Sequence, residues 1–103
     1  MDPAIVVVFR SRLREGAIDL KDALDEAVAA AAPAHPGLLS WKTFSAPDGE
    51  RVTIVEFADE LAYRAWMAEP AHVAAKARHE EVYAAHTTLM AAVSGPVRRW
   101  PEA

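Results

Sequence analysis

Cysteine is absent from the 103 residues, and so are asparagine and glutamine. Without thiols there is no disulfide framework, no cysteine nucleophile and no Cys-ligated metal. Glycine occurs four times and is scattered, so no glycine-rich phosphate loop can be built, and no G-x-S-x-G nucleophile elbow is present. A basic excess is also missing. Eleven Lys and Arg stand against fifteen Asp and Glu, a net charge of −4, which argues against nucleic acid as a partner. No apolar run approaches the ~18–20 residues of a membrane span. The start, Met1-Asp2-Pro3 followed by the short run Ile5 to Phe9, lacks the basic opening and the ~7–15 apolar residues of a signal peptide. A cytoplasmic location, with no membrane partner, is the expectation.

What is present fits one globular domain over residues 1–103. The chain is 52% hydrophobic and 25% charged, and its length suffices for one core but not two. Ile5-Val6-Val7-Val8-Phe9 is β-branched and apolar on both alternating faces, the pattern of a strand covered on both sides. Arg10, Arg12 and Arg14 then make one face polar, and Gly16 marks a turn. Leu20, Leu24, Ala27, Val28 and Ala31 recur at three and four residues and predict a helix from about Asp19 to Ala31. Asp19 is its expected N-cap, and Pro33 and Pro36 end it. Leu38–Ser45 and Arg51–Phe57 read as strands joined by the turn Ala46-Pro47-Asp48-Gly49, an antiparallel hairpin. Asp59 is the expected N-cap of a short helix, Glu60 to Met67. Pro70 breaks it and opens another, expected from about Ala71 to Ala85. Thr87 to Val93 closes the pattern as a fourth strand.

The order β-α-β-β-α-α-β is the ferredoxin-like α+β layout, a four-stranded antiparallel sheet with helices on one face. The opposite face then carries Val6, Val8 and apolar hairpin residues with nothing to cover them. A second copy packed sheet to sheet, a homodimer, is the simplest remedy.

Several segments carry a more specific signal. They are Pro36-Gly37-Leu38-Leu39-Ser40, the hairpin from Phe44 to Phe57, Glu60-Leu61-Ala62-Tyr63-Arg64-Ala65-Trp66, and Glu69-Pro70-Ala71-His72. In this order, and with Tyr-Arg-x-Trp followed by Pro-x-His, the chain resembles the antibiotic biosynthesis monooxygenases of the dimeric α/β-barrel superfamily. The resemblance implies a homodimer with a pocket between sheet and helices in each subunit. It implies oxygen insertion into a small aromatic, phenolic or quinol-type substrate without flavin, haem or metal. Such a substrate must supply the electrons itself. The site therefore needs a positioned base or hydrogen-bond donor, and a dry pocket.

Trp66 and His72 are the expected catalytic pair. The indole would wall the pocket and hold a substrate oxygen, and a neutral imidazole near a helix N-terminus would accept a proton. His79 and Tyr83, with His86, follow His72 at offsets close to a helical stripe. His72 and His79 would stand roughly 10 Å apart along a helix, too far to share one ion, so no metal is expected. Phe44 and Tyr63 complete the expected substrate-binding set. The other large aromatics, Trp41 among them, are expected in the core.

One departure from the family pattern matters. The antibiotic oxygenases often place an Asn one helical turn before the Trp, and Ala62 stands there. The haem-degrading relatives use an Asn, Trp and His set that cannot be complete in a chain without Asn. Two other functions stay open beside oxygenation: a dimeric barrel that binds a small apolar metabolite without chemistry, and haem binding or degradation.

Overall fold

The computed structural model describes residues 2–101; Met1 and residues 102–103 of the expected 1–103 domain lie outside that range. The elements run β1 (Ile5–Leu13), α1 (Ile18–Ala31), a 3-10 turn (Ala32–Ala34), β2 (Leu38–Ser45) and β3 (Arg51–Phe57). They continue through α2 (Glu60–Met67), α3 (Pro70–Lys76), α4 (His79–Val82) and β4 (Tyr83–Ala92). The sheet order is β2-β3-β1-β4, with every neighbouring pair antiparallel. This is the ferredoxin-like α+β arrangement expected from the order of elements. The two-sided apolar strand β1 lies inside the sheet between β3 and β4. Among the described residues no helix is long and apolar enough to cross a membrane.

Strand alternation divides the sheet into two faces. Ile5, Val7, Phe9 and Ser11 of β1 share one face with Phe57, Val55, Thr53 and Arg51 of β3. Helices cover this side, and the core forms on it from Ile5, Val7, Phe57 and Trp66. On the outer face, Val8 pairs with Ile54 on one side and Leu89 on the other. Ile54 and Leu89 are exposed, so the uncovered apolar face expected from the sequence is there.

The hairpin and α2 form over the predicted residues because their signals are local. Gly49 adopts φ +90° in the turn, a left-handed conformation that costs glycine little. Asp59 caps α2 by accepting a hydrogen bond from the Ala62 N–H at 2.8 Å. Arg10 and Arg12 reach across the sheet from β1 to grip the hairpin end, Arg10 on Glu50 and Arg12 on Asp48.

Two expectations are corrected. The first helix begins at Ile18 and not at Asp19, with Ala17 at the capping position and no side-chain cap. Gly16 turns the chain at φ +77° and Ala17 is drawn into the interior, so Asp19 falls in the first turn. The expected helix from Ala71 to Ala85 is also not continuous. It stops at Lys76, resumes for one turn at His79, and becomes β4 at Tyr83. Pairing with β1, beginning at Leu13–Tyr83, overrides the helical preference of an Ala-rich stretch. Val82 and Tyr83 are buried at the junction.

Candidate functional site

The helices meet the sheet through small side chains, and a gap remains. None of the residues of α1 is fully buried, and α1 and α3 turn Val28 and Ala75 toward the sheet. Between them lies a cavity of about 320 Å³, at the lower end of ligand-pocket sizes. Val7 and Val55 contribute to its floor from the sheet.

Aromatic rings gather around this cavity in two groups. In the first, Trp66 stands 6.1 Å from Trp41 and 5.5 Å from His72, between ring centroids. Trp66 is only 4% exposed, fixed on α2 by its packing with Ile5, Val7 and Phe57. His72 comes from the first turns of α3, two residues after the Pro70 that opens it. The second group lies further along β1. Phe9 is 5.7 Å from His79, 5.1 Å from Tyr83 and 5.6 Å from His86. Tyr63 packs edge-on against Phe57 at 5.5 Å and also reaches the cavity.

Five of the six expected site residues therefore line one cavity: Trp66, His72, Tyr63, His79 and Tyr83. Phe44 does not. It pairs with Val52 on the outer face and is 49% exposed. Period-two alternation gives the cavity to Trp41 and Thr43 instead. His79, Tyr83 and His86 do gather, but not as a helical stripe with His72. His79 lies on α4 and the other two on β4. A register shift opposite Arg12 and Leu13 lets Tyr83 and His86 turn to the same side.

The electrostatics favour neutral imidazoles. Burial holds the His72 pKa below its usual value, and the charges of Lys76 and His79 act in the same direction. His79 is lowered by burial, then by His86, Lys76 and Lys21. The expected cause for His72, a helix dipole, is thus replaced by desolvation. Burial pushes the Tyr83 phenol up to about 12, with Asp25 adding to the rise and Arg51 opposing it. His72 Nδ1 is buried and without a hydrogen-bond partner. Among the described residues no three His, Asp or Glu side chains converge as a metal-ligand group.

Four residues in and around the site were not legible as such. Trp41 reads as core in a strand of mixed pattern. Lys76 falls inside the helix expected from Ala71 to Ala85 and carries no sequence signal of its own. His35 and Glu69, 34 positions apart, form a half-buried pair at 2.7 Å, and the His35 ring meets Trp66 edge-on at 5.0 Å. The pair ties the α2–α3 junction to the approach to β2. Only the position of each beside a proline, Pro36 and Pro70, hinted at a fixed turn.

No protein-family profile matches the sequence, and no curated protein matches it by sequence. Solved structures do. Rv0793 from Mycobacterium tuberculosis superposes with a TM-score of 0.78 at 20% identity, covering 92% of this chain and 99% of that one. SnoaB, a cofactor-independent oxygenase from Streptomyces nogalater, gives 0.72 at 18% identity, covering 97% and 99%. A Bacteroides thetaiotaomicron protein, provisionally named an antibiotic biosynthesis monooxygenase, gives 0.75 at 15% identity, covering 98% and 96%. The chain has the antibiotic biosynthesis monooxygenase fold. At these identities the likeness concerns architecture, and function has to be argued from the cavity. Within this fold Ala62 is not at the cavity wall. It is pressed against Gly37, where an ideal Cβ would stand 2.4 Å from the Ala62 Cβ.

Proposed function

We propose that the protein is a cofactor-independent monooxygenase for a small aromatic, phenolic or quinol-type substrate. The observation that carries this reading is the pairing of Trp66 and His72, rings 5.5 Å apart, on the wall of an aromatic-lined cavity. A flat ring system is held against such side chains by stacking and by exclusion of water. The neutral His72 removes a proton from the phenol or from an activated ring carbon. Because Nδ1 is sealed off, that proton passes through Nε2. The electron-rich anion then delivers electrons to dioxygen. One oxygen atom enters the substrate as a carbonyl and the other leaves as water, whose two hydrogens are the proton taken by His72 and the hydrogen lost from the oxidised carbon. The likeness in fold to SnoaB supports the reaction class.

The working unit in this proposal is a homodimer. Val8, Ile54 and Leu89 form one apolar row across the outer face, and Phe44 adds an exposed ring. A second copy is the self-complementary cover for such a patch.

Oxygen uptake by the purified protein, freed of metal by chelation, tests the activity against anthrones, quinols and flavonoids. The expected result is uptake of one O₂ per product with at least one class, lost by a factor of about 100 or more in His72→Ala. No turnover above background across the panel, or a His72→Ala variant equal to wild type, refutes it. Ala62 at the position where the oxygenases place an Asn favours a second reading, a binder of small apolar metabolites. Ligand-induced thermal stabilisation without product would establish that one. The haem alternative has the least support, because the chain has no Asn to complete the haem-degrading set.

A further inference from the structure

The cavity wall holds three side chains with formal charge, Lys21, Asp25 and Lys76. Lys21 and Asp25 stand one turn apart on α1 and form a salt bridge, so they cancel. Lys76, the last residue of α3, has no ion-pair partner among the described residues. Its charge is felt inside the cavity, where it disfavours protonation of both His72 and His79. Those imidazoles, kept neutral mainly by burial, add no positive charge of their own. Arg51 lies on the same helix-covered face of the sheet, opposite Ser11, and its charge acts on Tyr83. The Arg51 Nε is buried and without a hydrogen-bond partner. The charges left uncompensated around the cavity are therefore all positive. Lys76 thus sets an exposed ammonium at the cavity wall, where a carboxylate finds a charge-assisted hydrogen-bond partner.

We propose that the ligand is an aromatic carboxylate, its ring system lying against the cavity faces of Trp41, Trp66 and His72 and its carboxylate held by Lys76 Nζ. This rests on reading the cavity as a small-molecule site and goes beyond it by assigning the ligand's charge and its orientation. A neutral phenol would fill the same walls but leave Lys76 without a partner. A cationic ligand would face repulsion from Lys76 and Arg51.

Isothermal titration of the full chain at pH 7.5 with three probes of similar size tests this: 2-naphthoate, 2-naphthol and 2-naphthylmethylammonium. Wild type is expected to bind the carboxylate about 5–10-fold more tightly than the phenol, and the ammonium most weakly. In Lys76→Gln the carboxylate and phenol should bind within about 2-fold of each other, and Lys76→Arg should retain the preference. In Lys76→Glu the order of carboxylate and ammonium should invert. Lys76 is exposed at a helix end, so these variants are expected to fold, and unchanged circular dichroism verifies it. Equal binding of carboxylate and phenol by wild type, or a preference that survives Lys76→Gln, overturns the proposal and leaves the cavity a ligand site. Binding of none of the three overturns the proposal and the site reading together.

Discussion

Gly37 is the tightest point between the approach to β2 and α2, and a methyl group there tests how α2 is seated. An ideal Cβ at position 37 would stand 2.4 Å from Ala62 Cβ, against the ~3.5–4.0 Å at which carbon atoms rest. Relieving that overlap requires the two segments to part by about 1 Å, and overpacking of this kind costs about 1–3 kcal/mol. A loss of about 2 kcal/mol lowers Tm by about 8–16 °C in a domain of this size. Ala62 lies one helical turn before Trp66, so the same shift should move the indole and change its fluorescence. Ala62→Gly alone should cost about 1 kcal/mol for a glycine within a helix. The double variant removes the atom that is struck and leaves Ala62 Cα at 3.6 Å, an ordinary contact. Its loss should match that of Ala62→Gly alone, a coupling of about 2 kcal/mol in the denaturant-measured cycle. Losses that simply add, within about 0.5 kcal/mol, would show that the close approach does not exist.

Acidification should destabilise the fold through His72. Its folded pKa lies below the unfolded value because of burial, so below about pH 6.5 the unfolded chain binds more protons and Tm falls as pH drops. His72→Phe should flatten the slope between pH 7.5 and 5.5, with His79→Phe flattening it further for the same reason, and an unaltered slope in the double variant would refute the assignment. Placing a charge on the outer sheet face should split the proposed dimer. Ile54→Lys, beside Val8 in the apolar row, should elute and scatter light as an 11.2 kDa particle, whereas a wild type already of that mass contradicts the assembly.

The elements read most accurately from sequence are those whose signals are local. The hairpin was marked by Pro47-Asp48-Gly49 between alternating runs, and α2 by Asp59 four residues before Tyr63. The C-terminal third was misread because its outcome is decided at long range. Tyr83 to Ala85 would continue a helix by composition, but Leu13, seventy positions earlier, pairs with Tyr83 and draws the segment into the sheet. The same distinction explains the site. Trp66 and His72 stood out through a short pattern on adjoining helices. Phe44 and Trp41 were exchanged because a strand's two faces look alike until a register is fixed, and a bulge near Leu38 sets that register. His35 and Glu69 meet only through tertiary packing, which no spacing in the chain announces.

The size of Ala75 decides whether the hollow is a vacancy or merely loose packing. Ala75 lines the cavity from α3, with the valine Val28 from α1 and the sheet opposite. Were the interior full, Ala75→Leu would force side chains off their rotamers and cost about 1–3 kcal/mol. With about 320 Å³ of space in front of it, the added carbons enter a void. They should contribute up to about 0.8 kcal/mol for each buried methylene, offset by the side-chain freedom lost. The variant should therefore match or exceed wild type in denaturant midpoint while losing ligand binding and any turnover, because the occupied volume is taken from the substrate. Stability and activity would move in opposite directions, as expected where a protein keeps a space open at the expense of its core. A destabilised Ala75→Leu that still binds 2-naphthoate as wild type does would mean that ligands dock elsewhere and that the rings around Trp66 are ordinary core.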